Sequence, residues 1–390
     1  MKKENLWILF IFFFSIISLI MNLVNGRFEM VDFEVYYRAA ERILSGSELY
    51  GIKEDGHYVF KYAPNAGIYF IPFLLTKLSF AKYIYWFFLT MLFYFGVKTW
   101  YALITHSLDY SISNRKKNWI ILLSILSVLT HVHMELHLGQ VNLLLLVFYL
   151  LLIKYMYQRQ TLLFSFVLSI SIYIKPFGLI FFPYLLAKKE YKTIAISFLF
   201  LLALATLPLF FYPSFSSFSN LYSNWWNELI IELNTKQDLL ADYNHTIFSV
   251  LARFTPIKHI LINNLAIIIY QLTLLTVIGL GMLKYIRYSD GNRTIITEML
   301  ILIALIPLLA FTNNNAFIFE FPLIMYIIFH VDKLNTKGKI LLICGCLLIG
   351  GNIYDIVGKD IMLFLSSISI YTFGTIILLC LLFYEFKKRK

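Results

Sequence analysis

From Leu6 to Val24 the chain runs 19 residues without a charge. A helix of that length, rising about 1.5 Å per residue, covers the roughly 30 Å hydrocarbon core of a bilayer. Comparable apolar runs recur near 83–105, 119–138, 141–157, 161–175, 176–187, 193–212, 258–283, 294–311, 316–331, 339–355 and 361–384. With 60% hydrophobic and only 14% charged residues, the chain cannot be closed into a soluble globule. The expected fold is all-α: a polytopic integral membrane protein of about 12 transmembrane helices (11 to 13), built as a single domain over 1–390.

The net charge of +11 is spent on topology. Arg115-Lys116-Lys117, Lys188-Lys189, Lys284 with Arg287, Lys333 with Lys337 and the tail Lys387-Lys388-Arg389-Lys390 all fall between or after apolar runs. An N-terminus on the cytoplasmic side puts every one of them on that side, as the positive-inside rule requires. The charge is therefore not a nucleic-acid footprint, and the partner it implies is the lipid bilayer. Met1-Lys2-Lys3 before the first run imitates a signal peptide, but Asn22 to Gly26 offers no small-x-small cleavage site, so an uncleaved helix is expected. Two long segments, 25–82 and 213–257, are left outside. Within the first, Pro64 to Leu78 is short and broken by Pro64 and Pro72, and reads as re-entrant or interfacial. The runs 161–175 and 176–187 read either as two spans or as a bend around Lys175-Pro176. Cys344, Cys346 and Cys380 lie in apolar runs and are read as free thiols.

Just beyond the first run lies an acidic cluster, Val31-Asp32-Phe33-Glu34-Val35-Tyr36-Tyr37. Phe33, Tyr36, Ala40, Ile43 and Leu44 share one helical face, and Glu34, Arg38, Glu41, Arg42 and Ser45 the other. That pattern predicts interfacial helix over 32–45, lying on the membrane surface and stopped by Gly46. Asp32 has two readings, as an N-cap of this helix and as a catalytic base. No Glu or Gln stands at Val35 to complete a capping box.

Four more polar groups fall on the same side. Gly139-Gln140-Val141-Asn142 is a tight turn whose amides suit sugar hydroxyls or helix ends. At Tyr173-Ile174-Lys175-Pro176 a cation interrupts an apolar run beside a helix breaker, and its natural counter-ion is a phosphate. Asp242-Tyr243-Asn244-His245-Thr246 is followed by Arg253, read as ligand-binding or as an interfacial anchor. Thr312-Asn313-Asn314-Asn315 leads to Glu320, an acid just inside an apolar run. His131, His133 and His137 invite a zinc reading, yet Glu135 is misplaced for H-E-x-x-H and no third ligand has suitable spacing. His137 is read as a polar contact near the Gly139 turn or as a helix-end residue, and no metal is expected. Phe215 to Trp226 resembles an interfacial aromatic belt, with sugar stacking on Trp225 or Trp226 as the other reading.

Taken in order, Asp32-x3-Tyr36-x2-Ala39-Ala40, Gly46-x3-Tyr50, Phe60-x-Tyr62-x-Pro64, Gly139-Gln-Val-Asn142, Lys175-Pro176 and Asn244 to Arg253 resemble glycosyltransferase family 87 of the GT-C superfamily. The resemblance implies transfer of a sugar, typically mannose or arabinofuranose, from a polyprenyl-phosphate carrier on the outer face of the membrane, with inversion. It implies a glycan or glycolipid acceptor, no cofactor, and a bacterial plasma membrane as location. Asp32 matches the family's catalytic acid position. Glu34, Tyr36, Tyr37, Tyr62, His137, Gln140, Asn142, Lys175, Asn244, His245, Arg253 and Glu320 are the expected substrate contacts. The chain departs from the family at Thr312 to Asn315, where many members carry a Ser-Pro or His-containing stretch, and at Asn244-His245-Thr246, where Asn-Gln-Ser is commoner. The absence of a Gly-rich phosphate loop argues against a nucleotide-sugar donor. A lipid-linked-glycan transporter or flippase, and a polymerase or ligase of such glycans, are the competing readings. The missing internal repeats count against the transporter.

Overall fold

The computed structural model describes residues 5–387 apart from 57, 109–112, 237, 289–291 and 312–313. Met1-Lys2-Lys3, Thr312, Asn313 and Lys388-Arg389-Lys390, all named above, lie outside the described residues. Among those described, all regular secondary structure is helical. The first helices are α1 (Leu6–Val24), α2 (Val31–Ser45), α3 (Pro64–Ile68), α4 (Leu78–Leu108), α5 (Asn114–Leu126), α6 (Leu129–Leu138), α7 (Asn142–Tyr157) and α8 (Thr161–Ile174). Next come α9 (Phe181–Ala187), α10 (Tyr191–Ala205), α11 (Phe215–Lys236), α12 (Ile247–Phe254), α13 (Asn264–Tyr288) and α14 (Asn292–Leu309). The chain closes with α15 (Phe321–Phe329), α16 (Thr336–Gly350), α17 (Tyr354–Val357), α18 (Lys359–Ser367) and α19 (Ile370–Lys387).

Among the described residues, Leu6–Val24, Leu78–Ser107, Tyr191–Phe210 and Asn264–Arg287 are each long and apolar enough to cross a membrane. Two bent pairs, α5 with α6 and α18 with α19, each turn by 58° and raise the number to six if each pair is one span. Both bends fall inside runs that read as continuous spans in the sequence, 119–138 and 361–384. At the first, Ser127 closes α5, its hydroxyl returning to the Leu123 carbonyl at 2.8 Å. At the second, Ser369 takes a left-handed conformation with φ 59°.

The chain divides into two compact units. One comprises Ile11–Gly96 and Met134–Gln237. Its α8 and α10 pack through serines: Ser165 Oγ donates to the Thr193 carbonyl and Ser169 Oγ to the Ser197 carbonyl, both at 3.0 Å. Small hydroxyl residues permit this close approach and leave no buried donor idle. α1 is tied to α4 by Ser15, Thr90 and Trp86, with Ser15 and Thr90 hydroxyls 2.7 Å apart and the Trp86 indole donating to Ser15 at 2.9 Å.

In the same unit α2 turns its apolar face to protein. Its apolar face, including Phe33, Tyr36, Ala40 and Ile43, is buried in protein, while Leu44 is exposed. Phe33 stacks on Tyr85 of α4 with ring centres 4.3 Å apart. α3 lies against α2 at Gly67, where a Cβ would come 2.4 Å from Ile43 Cδ1 and 3.7 Å from Ala39 Cβ. The re-entrant or interfacial segment becomes α3 followed by a 3-10 turn at Ile71–Leu75, and Arg42 holds the intervening loop through a two-pronged pair with Asp55 at 2.6 and 2.7 Å. Gly46 does end α2, in the left-handed conformation that favours glycine.

The other unit comprises Met1–Phe10, Val97–His133 and Asp238–Lys390. Here α16 and α19 pack at glycines, since a Cβ at Gly345 would come 2.8 Å from Leu378 and one at Gly374 would come 3.1 Å from the Gly345 carbonyl. Buried Trp100 donates to the Pro322 carbonyl at 3.0 Å, and His131 Nε2 meets the Ile349 carbonyl at 2.9 Å. The cysteines are free, as expected.

Candidate active site

α2 starts two residues earlier than an Asp32 cap requires. Met30 turns the chain with φ 48° and ψ 52° and occupies the cap position itself, and no side chain caps the helix. Asp32 is thus the second helical residue, and its carboxylate is directed elsewhere. Oδ2 accepts from Gln140 Nε2 at 2.5 Å. The partner comes from the turn after α6, where Gly139 has φ +70° and a Cβ would sit 2.7 Å from Phe33 Cβ and 3.2 Å from the Phe33 nitrogen. Glycine is therefore required twice, for its backbone conformation and for contact with the first turn of α2.

The next link is Lys175. Pro176 disfavours helix at the preceding residue, and Lys175 is accordingly extended (φ −144°, ψ 136°), ending α8. Its ammonium donates to Asn142 Oδ1 at 2.9 Å and reaches Gln140 Oε1 at 3.4 Å. Asn142 in turn donates through Nδ2 to Glu135 Oε1 at 2.7 Å, while Glu135 Oε2 accepts from the Leu143 amide at 3.1 Å. Asp32, Gln140, Lys175, Asn142 and Glu135 form one hydrogen-bonded chain. Glu135 was missing from the expected contacts. Its signal was its charge inside the apolar run 119–138, which the failed zinc motif obscured.

Burial raises the carboxyl of Asp32 above the usual aspartate range, against the opposing pull of the Gln140 hydrogen bond, Lys175 and Lys61. Asp32 nevertheless remains partly exposed, and Oδ1 accepts from none of the described residues. Tyr36 and Tyr62 flank it with hydroxyls 2.9 Å apart, and burial raises both phenols. The remaining expected contacts in this unit have other partners. Glu34 pairs with Lys82 at 2.9 Å and with Arg38. Burial acts to raise its carboxyl, but the two cations prevail and hold it low. Tyr37 donates to the Thr76 carbonyl at 2.9 Å, and His137 Nδ1 meets Asn22 Oδ1 at 2.6 Å. Trp225 donates to the Lys61 carbonyl at 3.2 Å, whereas Trp226 is exposed.

Asn244, His245 and Arg253 belong to the other unit, where they form a second cluster. Asn244 Oδ1 accepts from the Thr246 amide and hydroxyl, and Thr246 caps α12 by accepting from the Ser249 amide. Arg253 donates to the Ser367 carbonyl at 2.5 Å, the Asn244 carbonyl at 3.1 Å and Ser369 Oγ at 2.5 Å. His245 Nδ1 lies 3.1 Å from the same Ser369 hydroxyl. Burial and then Arg253 lower the imidazole to about 4, with Asp242 opposing, so His245 is neutral at pH 7. Glu320 ends the 3-10 turn Asn314–Glu320, fully buried. Neither of its oxygens has a hydrogen-bond partner among the described residues, and the polar group beside it is the Thr375 hydroxyl.

These helices and the carboxylate–amide–ammonium chain define a helical membrane protein carrying an enzyme-like polar site. Residues 60–312 match the profile of glycosyltransferase family 87, and the chain belongs to that family. It is therefore a membrane glycosyltransferase. Glu135, Gln140, Asn142, Lys175, Asn244, His245 and Arg253 lie within the matched stretch, and Asp32 and Glu320 outside it. Comparison with curated proteins gave no match.

Proposed function

We propose that this glycosyltransferase moves a sugar, mannose-like, from a polyprenyl-phosphate carrier to a glycan or glycolipid acceptor, with inversion, at the outer face of a bacterial plasma membrane. The observation that carries this reading is the single amide of Gln140, which touches Asp32 on one side and Lys175 on the other. A base and a phosphate-binding cation are thereby held at a fixed separation, as an in-line displacement requires. The acceptor hydroxyl oxygen bonds to the anomeric carbon while the bond from that carbon to the carrier phosphate oxygen breaks. Asp32 Oδ1 takes the acceptor proton, and the electron pair leaves with the phosphate, facing the Lys175 ammonium.

A raised carboxyl suits Asp32 for this task, since a stronger base accepts the proton more readily once ionised. Arg253 donates through its two terminal nitrogens to two backbone carbonyls and a serine, while Nε has no partner among the described residues; the three bonds favour a role in holding the second cluster together over binding phosphate. The proposal keeps about twelve crossings, with the shorter apolar helices spanning beside the four long ones. The test is to offer purified protein polyprenyl-phosphate mannose, other polyprenyl-phosphate sugars, and UDP and GDP sugars in turn. Transfer from a polyprenyl-phosphate donor alone is expected; transfer from a nucleotide sugar alone overturns the reading.

A further inference from the structure

With Glu135 and Asp32 ionised, the chain between them has a polarity that its chemistry permits in only one sense. A carboxylate accepts and never donates, and an ammonium donates and never accepts. Glu135 at one end draws Nδ2 of Asn142 toward itself at 2.7 Å, which obliges Oδ1 of that amide to face the other way. There it accepts from Lys175 at 2.9 Å. Lys175 draws the oxygen of Gln140 toward itself, and this turns Nε2 of Gln140 to Asp32 at 2.5 Å. Neither amide can flip without setting donor against donor or acceptor against acceptor. Glu135 also accepts from the Leu143 amide, so it is anchored to the first turn of α7 and is no free rotor.

We propose that Glu135 is a positioning residue for transfer: it fixes the Asn142 amide and, through it, the place of the Lys175 ammonium beside Asp32. This inference rests on the preceding reading of Lys175 and Asp32. It adds a second carboxylate, fully buried and thus out of reach of the acceptor, whose effect passes through other side chains.

Glu135→Gln keeps size but brings a donor to the end of the chain, so Asn142 gains a second orientation and Lys175 loses an acceptor. The expected loss in kcat/KM with polyprenyl-phosphate mannose is roughly 10- to 10²-fold, the scale of a misplaced reacting group. Glu135→Asp, which retains the acceptor, should recover part of it. The deciding measurement is a cycle with Lys175→Met. If Glu135 acts through Lys175, the double variant is no slower than Lys175→Met alone. Losses that multiply, or an unchanged Glu135→Gln enzyme, overturn the proposal. Should Glu135→Gln fail to fold, Asn142→Ala severs the same link and is read in the same cycle. The cycle is repeated on thermal midpoints of the purified protein without substrate. Coupling there, in a parent that transfers no sugar from any polyprenyl-phosphate donor, overturns the functional reading and retains the link; additive midpoints overturn the link itself.

Discussion

Asp32 Oδ2 and Gln140 Nε2 lie 2.5 Å apart, which joins the first turn of α2 to the turn between α6 and α7. The bond gives Asp32 a fixed direction without using Oδ1. The buried carboxylate's consequences for rate and for stability run in opposite directions.

Asp32→Asn keeps an oxygen that can accept from Gln140 but cannot accept the acceptor's proton. A positioned base contributes roughly 10²- to 10⁴-fold, so turnover should fall by about that factor with donor binding retained. Glu34→Gln, which removes ion pairs to Lys82 and Arg38, should stay near the parent rate and lose about 1 kcal/mol or less of stability. A parent-like Asp32→Asn enzyme would defeat the base assignment.

The raised carboxyl of Asp32 also sets pH behaviour. Its folded-state pKa lies above the unfolded one, so it contributes stability that is complete below the ordinary aspartate range and is lost as pH rises through the folded value. At pH 7 the ionised group therefore opposes folding, and Asp32→Asn should melt at or above the parent temperature there, with the difference vanishing in acid. If Asp32 is the base, activity needs the ionised form, and the acid limb of kcat/KM should lie above the ordinary aspartate range. Melting curves and rates across pH 4 to 8, in roughly half-unit steps, read both effects.

Gly139→Ala meets a left-handed backbone and a 2.7 Å clash with Phe33 at once. We expect a loss of about 1 kcal/mol or more in stability, together with slower turnover, because the clash lifts α2 from the turn that orients Asp32. A variant that melts and turns over like the parent would show that the turn and α2 move independently.

Arg253→Met removes donors from two carbonyls and a serine. The stability loss should be about 1 to 3 kcal/mol. Donor affinity measured on the folded fraction should hold steady. A large fall in affinity with an unchanged melting temperature would restore Arg253 as a phosphate ligand.

Topology is checked by cysteine accessibility in a background lacking Cys344, Cys346 and Cys380. Glu48→Cys should react with an impermeant reagent from outside and Asn114→Cys only from inside, following the basic residues beside it. Labelling of both from one side rules out the orientation.

The residues Asp32, Gln140, Asn142 and Lys175 were legible because each is a polar interruption of an apolar pattern, and such interruptions in lipid need a reason. Their linkage was not legible, since the chain spacing between Asp32 and Gln140 carries no register. The face of α2 is legible in its period except at Leu44, which is exposed, but a period gives no information on what that face meets. Aromatic and small residues in α3 and α4 made the meeting partner protein. The left-handed Met30, which moves Asp32 off the cap, leaves no mark in sequence because the residue is not a glycine. The same holds for Ser369 at the α18–α19 bend. Glu135 is marked in the sequence by its charge inside an apolar run, but its neighbours His131, His133 and His137 point to metal chemistry instead.

None of residues 264–285 in α13 is buried, and at Gly279 and Gly281 a Cβ would meet nothing within 4 Å. The helix is also one of the four long and apolar enough to cross a membrane, and exchange of one aliphatic residue for another there leaves every described side-chain contact of the Asp32 network intact. This makes α13 a suitable mast for a spectroscopic reporter. A probe placed at Leu272 or Leu280 would sense local bilayer thickness and detergent choice while leaving the transferase chemistry untouched.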